Sequence, residues 1–197
     1  MARRNDHSPD ELRRLALDAA RRLVAEEGLR GLTVRRVAER IGYAPGTLYN
    51  LFANLDELVL RLNAETLDRM AEALAAAAAC PPMERAAALV EAYFDRIEAE
   101  PFAWGVLFEH RLPAGTALPD WYGARLDRLI GIAVAALEPL MTAWPVLERR
   151  RAIVAMWAGL HGISTLAVGS KLALVGPGDP RALGRLLVSR VIAAGPP

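Results

Sequence analysis

The residues of this 197-residue chain best equipped for chemistry fall into three groups. The first is the stretch RIGYAPGTLYNLF, residues 40–52, where Pro45 and Gly46 precede the hydroxyls of Thr47 and Tyr49 and the carboxamide of Asn50; Arg35 and Arg36 stand shortly before it. Hydroxyls bond phosphate oxygens and fix register without reading sequence. An Asn carboxamide matches an adenine edge, an Arg fork matches guanine or a phosphate, and Arg36 adds a further phosphate candidate. The second group, Glu109, His110 and His161, has the residue types of general acids and bases. Adjacent helical residues point about 100° apart. No Ser or Cys nucleophile is spaced to match, and no phosphate loop or metal-ligand cluster occurs. The expectation is therefore no enzyme, no cofactor and no metal. The third group is aromatic: Tyr93, Phe94, Phe102, Trp104, Phe108, Trp121, Tyr122 and Trp157. Such residues either wall a pocket for an apolar ligand or fill an ordinary core.

Composition narrows the surroundings of these groups. With 24 basic and 23 acidic residues the whole chain carries a formal charge of +1, which announces neither a nucleic-acid nor a membrane partner. The basic excess is concentrated in residues 1–50. The single Cys80 excludes an intramolecular disulfide framework and suits a reducing compartment. It follows an Ala run with no base beside it, so it reads as filler. No apolar leader opens the sequence, and the apolar stretches are broken by Arg, Glu, His or Pro before the about 20 residues a spanning helix needs. A soluble cytoplasmic protein without a membrane partner is expected.

The elements that must position these groups are helices throughout. SPDELRRLALDAARRLVAEEG opens with a capping box, Ser8 with Glu11, and with Pro9 at the first helical position. Leu12, Leu15, Ala16, Ala19 and Leu23 recur at helical spacing. Gly28 ends this helix. Thr33 caps a second, short one with Val34, Val37, Ala38 and Ile41 inward, and Gly42 stops it. Pro45 starts a third with Leu48 and Phe52 inward, and NLDEL starts a fourth over 54–79 carrying Leu58, Val59, Leu62, Met70 and Leu74. Further helices are predicted over 83–100, 101–111, 119–141, 147–171 and 179–194. No stretch alternates with period two, so the fold class is all-α, about nine helices, divided into 1–53, a connecting helix 54–79 and a body 80–197.

Two short helices around a tight Gly-containing turn, packed on a longer capped one, form the pattern of a helix-turn-helix unit. In such a unit the last short helix enters the DNA major groove. Pro45 and Gly46 start that helix with little bulk, and Arg3 and Arg4 precede the first helix as an arm able to follow a groove. Tyr49 can equally cover the edge of the core, and the charge excess alone does not decide between the two.

Residues 12–62 resemble the DNA-binding domain of the TetR family of bacterial transcriptional regulators, through GLRGLTVRRVAERIGYAPGTLYNLFANLDELVLRL and in particular Gly28, Thr33, Val37, Ala38, Gly42, Gly46, Thr47, Leu48, Tyr49, Phe52 and Leu58. The resemblance implies that Thr33, Arg35, Pro45, Gly46, Thr47, Tyr49 and Asn50 lie at or near DNA. One residue departs: Leu55 stands where the family usually has a phosphate-contacting Lys. Further on, MWAGLHGISTLAVG, 156–169, resembles a C-terminal subgroup of that family marked by Trp, His and Gly, here Trp157, His161 and Gly162. The implied body dimerises through the last two helices, whose Leu160, Ile163, Leu166, Ala167, Leu183, Leu186, Leu187, Val191 and Ile192 supply apolar surface. A two-fold pair of heads implies an inverted-repeat operator. A small, mostly apolar effector is implied in the body, with Phe94, Trp104, Phe108, Trp121, Tyr122, Trp157 and His161 as candidate contacts. The resulting expectation is a ligand-released homodimeric repressor; the alternatives are a constitutive DNA-binding protein without effector and a small-molecule-binding helical enzyme.

Overall fold

The computed structural model describes residues 7–176 and 178–196; Arg3 and Arg4, expected to form an arm, lie outside them. The capping signals act where the sequence puts them. Ser8 Oγ accepts from the Glu11 amide at 3.3 Å while the Ser8 amide donates to the Glu11 carboxylate at 2.6 Å, opening α1, Pro9–Glu27. Thr33 Oγ1 accepts from the Arg36 amide to open α2, Val34–Ile41, and Gly42 closes it at φ 76°, a left-handed conformation that costs Gly little. α3 is a single short helix, Pro45–Tyr49. Asn54 Oδ1 accepts from the Glu57 amide and the Glu57 carboxylate accepts from the Ala53 amide, both at 2.8 Å, so a second reciprocal cap opens α4, Leu55–Ala77.

The remaining helices are α5, Pro82–Ala99; α6, Pro101–Glu109; α7, Asp120–Leu137; α8, Val146–Val168; α9, Leu172–Val175; and α10, Pro180–Ala194. No strand occurs among the described residues. Two boundaries depart from the sequence expectation for identifiable reasons. The helix predicted to run to 141 stops at Leu137 and tightens into a 3-10 turn, Glu138–Leu140, because Pro139 cannot continue the α-helical hydrogen bonding. The helix predicted to run to 171 stops at Val168; Ser170 adopts φ 53° and the chain re-enters a helix as α9, which no sequence signal announced.

The chain divides into two compact units, and they cut it differently from the linear division at 53 and 79. The first unit joins residues 1–66 with 102–122; the second joins 67–101 with 123–197. In the first, α1, α2 and α3 close over Ala16, Ala20, Leu23, Val24, Val37, Ala38, Leu48, Phe52, Leu58 and Leu62, with Val106 of α6 buried in the same cluster. Of the positions expected inward on α1, Leu15 is exposed and Leu12 half-buried, while Leu17, Ala20 and Val24 are buried instead: the apolar stripe is rotated by a residue. In the second unit α10 packs on α8 and α5 at close range. A Cβ placed on Gly184 would lie 2.8 Å from Phe94 and 2.9 Å from Leu160, and one on Gly159 would lie 2.5 Å from Leu187.

Candidate nucleic-acid interface and apolar cavity

α3 is held by its inward side. Leu48 and Phe52 are almost fully buried, and the Phe52 amide donates to the Leu48 carbonyl at 2.9 Å. With that side locked, Pro45, Gly46, Tyr49 and Asn50 are exposed and Thr47 is half-buried. Tyr49 is 57 % exposed, so it does not serve as a core lid. Asn50 follows the helix as its C-terminal cap, its side chain directed to solvent. The turn before α3 carries a contact that sequence reasoning missed: Tyr43 Oη lies 2.8 Å from His7 Nδ1, their rings edge to face.

The three candidates on α2 differ. Thr33 spends its hydroxyl on the helix cap. Arg35 is the most available cation, its side chain 81 % exposed, with Nε donating to Glu39 one turn on at 2.8 Å. An exposed i,i+4 pair of this kind is weak, so a phosphate can displace Glu39 at little cost. Arg36 is committed elsewhere: its guanidinium forks onto the Glu27 carboxylate and also donates to the Gly31 carbonyl at 2.9 Å. These bonds hold the Glu27 carboxyl below its usual range. Arg40 likewise holds Glu26 through two 2.8 Å bonds.

The second unit contains an apolar cavity of about 60 Å³. Its walls come from α4, α5, α7, α8 and α10, including Leu89, Val90, Tyr93, Leu129, Ile153, Met156, Trp157 and Leu160. The space is far below the roughly 300–1,000 Å³ of drug-sized ligand sites, so a larger occupant requires side chains to move. Of the seven candidate ligand contacts, Trp157 alone lines this cavity, stacked on His161 with ring centroids 6.3 Å apart. Burial pushes the His161 imidazole below its ordinary range, so the neutral ring is favoured beside these apolar walls. Phe94 turns away from the cavity toward Gly184. Trp104, Phe108, Trp121 and Tyr122 belong to the first unit. There Trp104 is buried edge to face with Phe108, Trp121 lies under the Arg61 guanidinium at 4.3 Å, and Tyr122 is buried and bonded to Asn63. Tyr93, named in the aromatic group but not among the seven candidate contacts, does line the cavity, whereas the aliphatic walls were missed, because apolar periodicity marks a buried face without saying which buried residues border a void.

Glu109 and His110 lie in the first unit and His161 in the second. His110 bonds Asp56 of α4, Nε2 to Oδ1 at 2.8 Å, and its side chain is 10 % exposed. Among the described residues no group of three His, Cys, Asp or Glu is placed to hold a metal ion.

Comparison with known proteins bears on both units. The sequence model of bacterial regulatory proteins of the tetR family matches residues 16–62, and that of the tetracyclin repressor-like C-terminal domain matches 86–191. The HTH-type transcriptional repressor AcnR of Corynebacterium diphtheriae is 42 % identical over 59 residues, 30 % of this chain and 31 % of that protein. AcnR of Corynebacterium glutamicum is 41 % identical over 64 residues, 32 % of this chain and 34 % of that protein. The match thus spans about a third of the length of these curated relatives. Among solved structures, a protein of unknown function from Rhodococcus sp. RHA1 superposes with a TM-score of 0.78 at 20 % identity over 100 % of both chains. The transcriptional regulator FadR from Bacillus subtilis, in complex with stearoyl-CoA, superposes with a TM-score of 0.69 at 18 % identity over 91 % of this chain and 97 % of that one. At these identities the superpositions establish the fold.

Proposed function

Because this chain belongs to the TetR family of bacterial regulatory proteins, we propose that it is a cytoplasmic transcriptional repressor that binds an inverted-repeat operator as a homodimer and releases it when a small, mostly apolar molecule enters the second unit. The observation that carries the DNA-binding part is α3: Leu48 and Phe52 anchor it in the core while Tyr49 and Asn50 face solvent, as does Arg35 on α2. In this reading Thr47 and Tyr49 bond phosphate, Asn50 reads a base edge, and Arg35 exchanges Glu39 for phosphate or guanine. The exposed starts of α2 and α3, with Thr33, Pro45 and Gly46, let backbone approach the duplex. Arg36 plays the more distant part of bracing α2 on Glu27. The repressor sense follows AcnR, named a repressor, to which this chain is 41–42 % identical over 59–64 residues.

Dimerisation is supported by α8 and α10. α8 is long and apolar enough to cross a membrane, with a window of mean hydropathy 1.3. Yet Ile153, Met156 and Leu160 are buried in the second unit while Val154, Ala155, Ala158 and Gly162 on the other side are exposed. Together with Leu186 of α10, 50 % exposed, they offer an uncharged face to a second copy. Trp157, His161 and Gly162 support placing the chain in the Trp-His-Gly subgroup of the family. The ligand part rests on the cavity at Trp157, and release is a population shift: an occupied cavity favours an arrangement of α4, which both units share, that presents α3 poorly.

The test is selection of duplexes from a random DNA pool, followed by footprinting. A protected inverted repeat whose binding weakens with salt is expected. Failure to enrich any sequence overturns the regulator reading. Thermal-shift screening of apolar compounds against the same protein tests the effector: a stabilising compound must also loosen the selected duplex, and one that stabilises without loosening it removes the switch from the proposal.

A further inference from the structure

Among the described residues 7–66 the carboxylates are matched one by one. Asp10 pairs with Arg13, Asp18 and Glu65 with Arg21, Glu26 with Arg40, Glu27 with Arg36, Glu39 with Arg35 and Glu57 with Arg61. Glu11 is bound in the α1 cap. Asp56 differs: its partner is neither an Arg nor a cap but His110, 54 positions further along the chain, just beyond the end of α6. Asp56 sits in the first turn of α4, six residues after Asn50, so by chain reach it lies within about 20 Å of the exposed end of α3, and less because the chain turns at 51–52. Of its neighbours, Glu57 is negative and already shared between the Ala53 amide and Arg61, and Arg61 is turned over Trp121.

We infer that His110 is the counter-group that keeps the Asp56 carboxylate from repelling operator phosphate, and so a positioning residue for DNA binding although it lies outside the helix-turn-helix sequence. The inference rests on the proposed DNA-binding function. DNA is a dense polyanion, and a carboxylate left free at the rim of its binding face subtracts from the counterion-release term that dominates affinity. A hydrogen bond from the His110 ring to Oδ1 holds the carboxylate on the α6 side and spreads its charge. The hydrogen bond is part-buried, with the imidazole 10 % exposed, so salt screens it less than it screens a phosphate contact in open solvent. Asp56 thereby receives its hydrogen-bond partner from the second stretch of the same unit.

The experiment measures affinity for a duplex selected by the wild-type protein, at low and at high salt. His110→Leu is expected to bind about three- to tenfold more weakly at about 50 mM salt and within twofold of wild type at about 300 mM, as a Coulomb repulsion across a Debye length requires. Adding Asp56→Asn to that variant removes the charge and is expected to restore affinity to within twofold. A loss that persists at high salt, and that the double variant does not recover, shows a structural brace and overturns the inference. Should His110→Leu not fold, Asp56→Asn alone decides: it keeps an acceptor for His110, so affinity equal to or above wild type supports the inference and a loss beyond threefold overturns it. A wild-type protein that selects no duplex overturns the proposed function itself, whereas selective wild-type binding with an inert His110→Leu overturns only this inference.

Discussion

Adding one methyl group at Gly184 tests how tightly the second unit is packed. Gly184 lies inside α10, and a Cβ there would sit 2.8 Å from Phe94 Cε2, 2.9 Å from Leu160 Cδ2 and 3.1 Å from Val90 Cγ1. Carbon atoms prefer about 3.5–4.0 Å, so three contacts must open by several tenths of an ångström or more. All three neighbours are themselves buried, and Val90 and Leu160 can yield only into the small cavity they line. Overpacking of this kind costs about 1–3 kcal/mol. Against it stands a helix-propensity gain of about 1 kcal/mol for Gly→Ala. Gly131, inside α7, isolates that gain because a Cβ there meets nothing within 4 Å. In calorimetry at fixed protein concentration Gly131→Ala should raise Tm, and Gly184→Ala should lower it or leave it unchanged. The two should differ by roughly 2–12 °C, taking about 2–4 °C per kcal/mol for a chain of this size. A Gly184→Ala variant as stable as Gly131→Ala would refute the close approach of α10 to α5 and α8.

Three further outcomes follow from the same geometry. Tyr49→Ala should weaken the selected duplex at least tenfold while moving Tm by no more than a surface substitution does, about 0.5 kcal/mol, since Tyr49 is 57 % exposed; an unchanged footprint would remove Tyr49 from the interface. Val154→Arg with Leu186→Arg, both on exposed apolar positions, should convert a dimer to monomer in sedimentation while leaving helical circular dichroism intact. For pH, the folded chain keeps the His161 ring neutral below its ordinary value of 6.5, whereas the unfolded chain protonates it there. Its effect is therefore absent above pH 6.5 and destabilising as pH falls below it. Tm of His161→Gln should fall less steeply than wild type between pH 6.5 and 5, and parallel curves would refute the buried-neutral assignment.

The local rules that sequence carries are those that act within a few residues. Ser8 with Glu11, Thr33 and the Asn54–Glu57 cap were legible because each is a side chain satisfying an amide three or four positions away, and Gly42 because a left-handed helix stop favours glycine. The exposure of Tyr49 and Asn50 followed from Leu48 and Phe52 being apolar at helical spacing. What periodicity does not carry is partnership at a distance. Nothing near Arg36 announced that Glu27 and the Gly31 carbonyl would claim it, and nothing near Asp56 pointed to His110. The aromatic candidates failed to gather for the same reason: residues of α6 and the start of α7 joined the first unit, while Phe94 and Trp157 stayed in the second. Residue type marked them as bulky, and topology distributed them.

That topology bears on how the protein is made. The core around α1–α3 includes Val106, and Trp104 and Tyr122 are buried in the same unit, so the unit is complete only when residue 122 exists. A ribosome that has released the first 66 residues has delivered α1 to α3 and every side chain proposed to face DNA, but not the segment that seals their core. At about 5–20 residues per second the remainder takes about 3–11 s to be synthesised. Through that interval the nascent head exposes the apolar patch that α6 will cover, which makes this stretch of translation the window in which a chaperone has a surface to hold.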